Sequence, residues 1–286
     1  MKTYKAKSFA KINLVLYVTG KLTKLHKIES IVKFIELHDS ITIKRVKGNK
    51  HKISFNGSFS KNIKKNNTVN SLFKILDDKN LLINKKFQIK VKKNIPQEAG
   101  LGGGSMNAAT ILNFLIKKKF IKISQKKILQ ITNLIGSDVI LGINPTTTVL
   151  SSNGAVKRFL KTSSFYTLLV RPNFGCSTKE IYSRVKKITN SKFNNPKKSM
   201  FNAEYLLRQE NALEGAAFFR YPKLKKIKSF LENLKNPLFV RMTGSGSVII
   251  AYYQSKKDCE MAKVQFKRKY KNYWCNTSKT DRKSVV

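Results

Sequence analysis

The sequence predicts an α+β protein of two lobes, and three observations carry that prediction. At 286 residues the chain exceeds the usual span of a single core. Apolar residues make up 41% of it, with 18 phenylalanines and 10 tyrosines, enough for more than one interior. Runs of β-branched residues interleave with stretches of helical period throughout. In the second half they follow a β-α-β-β-α-β order once the middle helices are set aside, the split pattern of a ferredoxin-like sheet. The division is placed at 1–160 and 161–286.

Taken in order, FAKINLVLYV at 9–18 reads as a strand that carries Lys11 and Asn13 on one face, because side chains two apart point the same way. Residues 28–37 fit strand or helix, and 40–46 fit a strand. In 67–77, Val69, Leu72, Phe73 and Leu76 recur at helical spacing behind a cap at Asn67 or Thr68. FQIKV at 87–91 alternates like a strand. A glycine-rich turn then leads into a helix striped by Ala108, Ala109, Ile111, Leu112 and Leu115, capped by Ser105 or Asn107. A helix over 124–135 breaks at Gly136-Ser137, which leaves Asp138 at an element boundary, and 146–160 reads as a hairpin around Ser152-Asn153-Gly154. Beyond it come a strand at 165–170, helices over 177–187, 201–220 and 222–234, strands at 238–243 and 248–253, a helix over 256–267 and a strand near Tyr273.

Lys+Arg 58 against Asp+Glu 15 gives a formal charge of +43, which ordinarily puts nucleic acid first among partners. These cations run from Lys2 to Lys283 and alternate with Ile and Asn instead of massing on one helix or arm, so they read as a solvated surface with no specific nucleic-acid partner. Three cysteines, odd in number and far apart, suggest free thiols in a reducing compartment. The start MKTYKAKSF has no apolar targeting core, and no run approaches the ~18 apolar residues of a membrane span. The expectation is a cytoplasmic protein without a membrane partner, a monomer or weak homodimer acting on a small molecule.

Gly100-Leu101-Gly102-Gly103-Gly104-Ser105 is the strongest chemical signal. Glycines leading into a helix let backbone N–H groups approach an anion, and the helix dipole favours negative charge there. No G-K-[ST] follows, so this is not a Walker loop, and the glycines are too crowded for a dinucleotide fingerprint. In full, P-x-x-x-G-L-G-G-G-S-x-N-A-A-T at 96–110 resembles the ATP-binding motif of the GHMP kinases. Three further segments agree in order and spacing: A-K-I-N-L-V-L-Y-V-T-G at 10–20, G-S-D-V at 136–139 and R-M-T-G-S-G-S at 241–247.

This resemblance implies a ribosomal-protein-S5-like N-terminal domain, a ferredoxin-like C-terminal domain and ATP-dependent phosphorylation of an alcohol. The nearest branch of the family acts on the 2-hydroxyl of 4-diphosphocytidyl-2-C-methyl-D-erythritol, in the non-mevalonate route to isoprenoids. It implies an ATP loop of Pro96, Gln97, Glu98, Ala99, Gly100, Leu101, Gly102, Gly103, Gly104, Ser105 and Met106, and a catalytic pair, Lys11 and Asp138. Substrate contacts are implied at Asn13, His26, Thr178, Tyr182, Gly244 and Gly246. Mg2+ is expected to arrive with the nucleotide, since no carboxylates recur at ligand spacing. The chain departs from the family pattern at Leu25 (usually tyrosine), Met106 (usually serine) and Ala212 (aspartate in N-D-L-E). Rival readings are a GHMP kinase for homoserine or mevalonate, a basic nucleic-acid binder on the same scaffold, and an inactive remnant.

Overall fold

In the computed structural model, residues 2–21 and 26–280 are described; Leu25 lies outside them. Contacts divide the chain into two units, neither continuous in sequence. The first comprises Met1–Ala10, Leu37–Pro96 and Gly102–Pro145, the second Lys11–Glu36, Gln97–Leu101 and Thr146–Val286. Two long paired strands, β1 (Thr3–Lys21) and β2 (His26–Val46), each run through both units. The stretches 28–37 and 40–46 are therefore one strand. Nothing between them is a breaker, and the ambiguous first stretch takes the strand conformation because it has strand partners, residues 148–150 opposite 30–32 and β1 beside it.

In the first unit the end of β2 pairs antiparallel with β4 (Lys86–Lys92), and β4 pairs parallel with β3 (Lys52–Asn56), a strand absent from the sequence reading. Helices α1 (Thr68–Asp78), α2 (Gly103–Lys117) and α3 (Gln125–Ile135) contribute Leu72, Phe73, Ile111, Leu112 and Ile131 to a core with Ile43, Phe87 and Ile89. Asn67 caps α1, its side chain accepting from the N–H groups of Val69 and Asn70, both at 3.1 Å. Ser124 caps α3 by accepting from Lys127 N–H. The cap expected for α2 is displaced. Gly102, at φ 65°, occupies it, and Ser105 and Asn107 lie inside the helix, where the Asn107 amide donates to Asp39 instead of a cap.

His51 is sandwiched in this core near Phe73 and Phe87, with ring centroids at 4.4 and 6.1 Å. Its Nδ1 accepts from Phe87 N–H at 3.1 Å, so Nε2 carries the proton facing Asp77. Burial pushes the imidazole below its ordinary value, outweighing the upward pull of Asp77. A depressed histidine contributes stability that is complete above the unfolded-state value of 6.5 and is lost as pH falls below it. The melting temperature is expected to drop from about pH 7 to pH 5, and to drop less in His51→Gln, measured by circular dichroism across that range.

In the second unit the start of β2 pairs with β5 (Thr147–Leu150), which forms the expected hairpin with β6 (Val156–Phe159). The remaining elements are β7 (Tyr166–Arg171), α4 (Thr178–Ser183), α5 (Ala203–Leu207), α6 (Glu214–Arg220), α7 (Pro222–Glu232), β8 (Phe239–Met242), β9 (Ile249–Tyr253), α8 (Lys256–Lys269) and β10 (Trp274–Lys279). Their sheet has the order β10-β7-β9-β8, every pair antiparallel, which is the ferredoxin-like arrangement read from the sequence. Leu168, Val170, Ile227, Ile249, Ala251 and Phe266 fill the core between sheet and helices.

The helix expected over 201–220 is broken into α5 and α6. Between them the backbone pairs with β1, Leu16 N–H donating to Glu210 O at 3.1 Å and Ala212 N–H to Leu16 O at 2.8 Å, and a chain held extended at a strand cannot stay helical. The helix expected over 177–187 ends at Ser183. Residues beyond it are drawn to the β1 strand, where Thr189 N–H donates to Val18 O at 2.9 Å.

Candidate active site

The glycine-rich loop is built differently in its two parts. Over 97–101, in the second unit, five consecutive carbonyls are taken up by the protein. Arg171 donates to Gln97 O, the N–H groups of Cys176 and Ser247 to Glu98 O, Val248 N–H to Ala99 O, Thr243 Oγ1 to Gly100 O, and Lys11 N–H to Leu101 O, at 3.0–3.4 Å. In a trans peptide the N–H points opposite to the carbonyl, so anchoring the oxygens inward aims the intervening N–H groups away from the anchor. This loop geometry is the kind from which an anion cradle is built. It requires glycine at 100, where φ is +74° and a Cβ would stand 1.9 Å from Thr243 O. Gly244, at φ +53°, packs beside it, and a Cβ there would lie 3.1 Å from Gly100 Cα.

In the first unit the loop becomes the N-terminus of α2. Met106 N–H is bonded to Gly102 O at 2.9 Å, and the N–H groups of Gly103, Gly104 and Ser105 precede that first rung, at the positive end of the helix dipole. Pro96 ends a segment held by buried Asp39, whose carboxylate accepts from Asn94 N–H (2.7 Å), Ile95 N–H (2.9 Å), Asn107 Nδ2 (3.0 Å) and the Lys93 ammonium. Lys93 Nζ would lie 3.2 Å from a Cβ at position 103. Met106, where a serine was expected, is buried with its sulfur 3.1 Å from where a Gly142 Cβ would stand. Its role here is packing under the Asp138 turn.

Asp138 precedes a short 3₁₀ turn (Val139–Gly142), to which its side chain gives no capping hydrogen bond, although a cap is the ordinary use of an aspartate at that position. Lys11 is 4% exposed and shares a strand face with Asn13 as expected, and its Nζ donates to Asn13 Oδ1 at 2.7 Å. The rings of His26 and Tyr182 touch each other, centroids 5.2 Å apart, so a base is not sandwiched between them in this arrangement. His26 Nε2 is buried and has no hydrogen-bond partner among the described residues. Thr178 Oγ1 lies 3.0 Å from Ser245 Oγ, which brings it to the Gly244–Gly246 turn.

Residues missed by sequence reasoning hold that turn from behind. Asn211 Nδ2 donates to Met242 O and Gly244 O, both at 2.8 Å, and Glu214 accepts from Met242 N–H at 2.7 Å. The signal for them was the segment Asn211-Ala212-Leu213-Glu214, whose flanking Asn and Glu do the bonding while Ala212 donates its N–H to Leu16 O and packs against the core. Among the described residues no group of three or more His, Cys, Asp or Glu side chains is placed to hold a metal, and no helix is long and apolar enough to cross a membrane.

Two family models match, GHMP kinases N terminal domain over 67–149 and GHMP kinases C terminal over 185–272. The chain is 58% identical over 280 residues to the 4-diphosphocytidyl-2-C-methyl-D-erythritol kinase of Pelagibacter ubique, covering 98% of this chain and 100% of that one. It is 31% identical over 281 residues to that of Anaplasma marginale, covering 96% of each. Its fold is similar to a crystal structure of a 4-(cytidine 5'-diphospho)-2C-methyl-D-erythritol kinase, with TM-score 0.76 and 22% identity over 96% of this chain and 99% of that one. It is also similar to homoserine kinase from Cytophaga hutchinsonii, with TM-score 0.71 and 14% identity over 98% and 95%.

Proposed function

The chain belongs to the GHMP kinase family, in its 4-diphosphocytidyl-2-C-methyl-D-erythritol kinase branch, and from that premise we propose how its residues carry out the transfer. It is an ATP-dependent kinase of the isoprenoid route, phosphorylating the 2-hydroxyl of 4-diphosphocytidyl-2-C-methyl-D-erythritol. The observation that carries the site assignment is the loop 96–106, whose anchored carbonyls and helix N-terminus offer N–H groups to phosphate oxygens.

Asp138 accepts the proton of the attacking hydroxyl. The hydroxyl oxygen forms its bond to the γ-phosphorus as the bond to the bridging oxygen of ADP breaks, and ADP departs with that electron pair. Lys11 offsets the negative charge that develops on the transferred group. Asn13, His26, Thr178, Tyr182, Gly244 and Gly246 are assigned to the acceptor, with the unpartnered His26 Nε2 as the group that reads the base edge. Mg2+, arriving with the nucleotide phosphates, would supply charge neutralisation there.

A cytoplasmic monomer or weak homodimer, without a specific nucleic-acid partner, fits this reading. So does a domain boundary at 160/161, which leaves each matched family segment whole. The test is phosphorus NMR of ATP with each candidate alcohol. A new phosphomonoester signal is expected with 4-diphosphocytidyl-2-C-methyl-D-erythritol and none with homoserine or mevalonate. Turnover of either of the latter in its place would reassign the acceptor.

A further inference from the structure

We propose that Ser30 is a positioning residue for phosphoryl transfer, acting through Asn13 on Lys11; this rests on the reading in which Lys11 serves the reaction. The three side chains form a relay inside the second unit. Lys11 Nζ donates to Asn13 Oδ1 at 2.7 Å, Asn13 Nδ2 to Ser30 Oγ at 2.7 Å, and Ser30 Oγ to Val15 O at 2.6 Å. All three are buried, at 4, 3 and 0% exposure.

The polarity of the relay is fixed at both ends. An ammonium only donates and a carbonyl only accepts. Ser30 has one proton, and Val15 O takes it, so toward Asn13 it offers a lone pair. That selects the NH2 side of the amide, and the planar amide then has to turn Oδ1 toward Lys11. The Asn13 backbone is pinned separately, its N–H donating to Thr243 Oγ1 at 3.0 Å. Without the Ser30 hydroxyl the amide loses the acceptor on its NH2 side, and its torsion is then held only by the bond from the Lys11 ammonium to Oδ1. Ser30 thus steadies the amide from behind, and through it one of the contacts of the Lys11 ammonium, without itself facing the ligand.

Ser30→Ala is expected to lower kcat about tenfold, in keeping with the loss of one charge-linked hydrogen bond, and to leave KM for ATP within about twofold. In an Asn13→Ala background the same change is expected to cost nothing further, because the relay is already cut. Ser30→Thr, which keeps the oxygen, is expected to recover kcat, and Ser30→Cys, close in volume and a poor acceptor, replaces alanine should that variant fail to fold. A purely structural Ser30 would lower the melting temperature while kcat per folded molecule stayed unchanged, or would lower kcat equally in both backgrounds; either result overturns the proposal.

A second readout does not depend on turnover. In 15N-labelled protein the Lys11 ammonium and the Asn13 side-chain amide are expected to give slowly exchanging proton signals that Ser30→Ala broadens or abolishes. If the alcohol is not phosphorylated yet these signals respond, the functional reading fails and the relay stands. If they are unchanged in Ser30→Ala, the relay itself is wrong.

Discussion

Asp138→Asn is expected to lower kcat by about 10²–10⁴, the range for removing a general base, with KM for ATP nearly unchanged. Asparagine matches aspartate in shape but cannot take the hydroxyl proton, so the change isolates that one ability. A structural aspartate at this position would be a cap, and its replacement by asparagine, an equally good capping residue, would be silent. Asp138 makes no capping bond to the turn it precedes, so a lowered kcat would not be the loss of a cap. Steady-state kinetics with both substrates saturating, beside a thermal melt, decides it. A variant that melts normally and turns over at the wild-type rate would remove Asp138 from the mechanism.

Gly100→Ala is expected to be the most disruptive small change in the chain. A left-handed φ alone costs a residue with a Cβ about 1–2 kcal/mol. At Gly100, with φ +74°, that Cβ would also stand 1.9 Å from Thr243 O, an approach no rotamer change relieves because the obstacle is backbone. The loop would have to leave its anchor, releasing Gly100 O from Thr243 and disturbing the Gly244 turn packed against it. Calorimetry should show ATP binding weaker by at least tenfold, the equivalent of ~1.4 kcal/mol, together with a lower melting temperature. Gly104→Ala is the internal comparison. Position 104 is exposed, its φ is not in the left-handed range, and a Cβ would meet only the Thr68 side chain, at 3.1 Å, so a much smaller change is expected.

The glycine loop, the Lys11–Asn13 face, the strand and helix succession of the ferredoxin-like part and the Asn67 cap were legible because each rests on local chemistry. Glycine spacing, side-chain alternation and cap residues all act within a few positions of themselves. What escaped depends on distant partners. Strand β3 is five residues whose exposure alternates weakly, and its pairing with β4 lies more than thirty residues away. The break between α5 and α6 is imposed by β1, nearly two hundred residues earlier, which no helical period can announce. Likewise the α2 cap went to Gly102 because Asn107 had a better partner in Asp39. In the site, Asn211, Glu214 and Ser30 touch no ligand in our assignment, and they become visible only when the turn or amide that they hold is seen.

The buried carboxylates carry a consequence for how far this protein can be re-engineered. Glu29 accepts from the N–H groups of Ser152, Lys192 and Phe193, and Asp39 from those of Asn94 and Ile95 and from the buried Lys93. Neither draws its hydrogen bonds from the solvated lysines that give the chain its +43. Surface charge and architecture are therefore separable properties. Exposed lysines such as Lys50, Lys126 and Lys225 can be exchanged for neutral or acidic residues to tune solubility or adhesion to polyanions, while the internal acids go on holding the loops beside them.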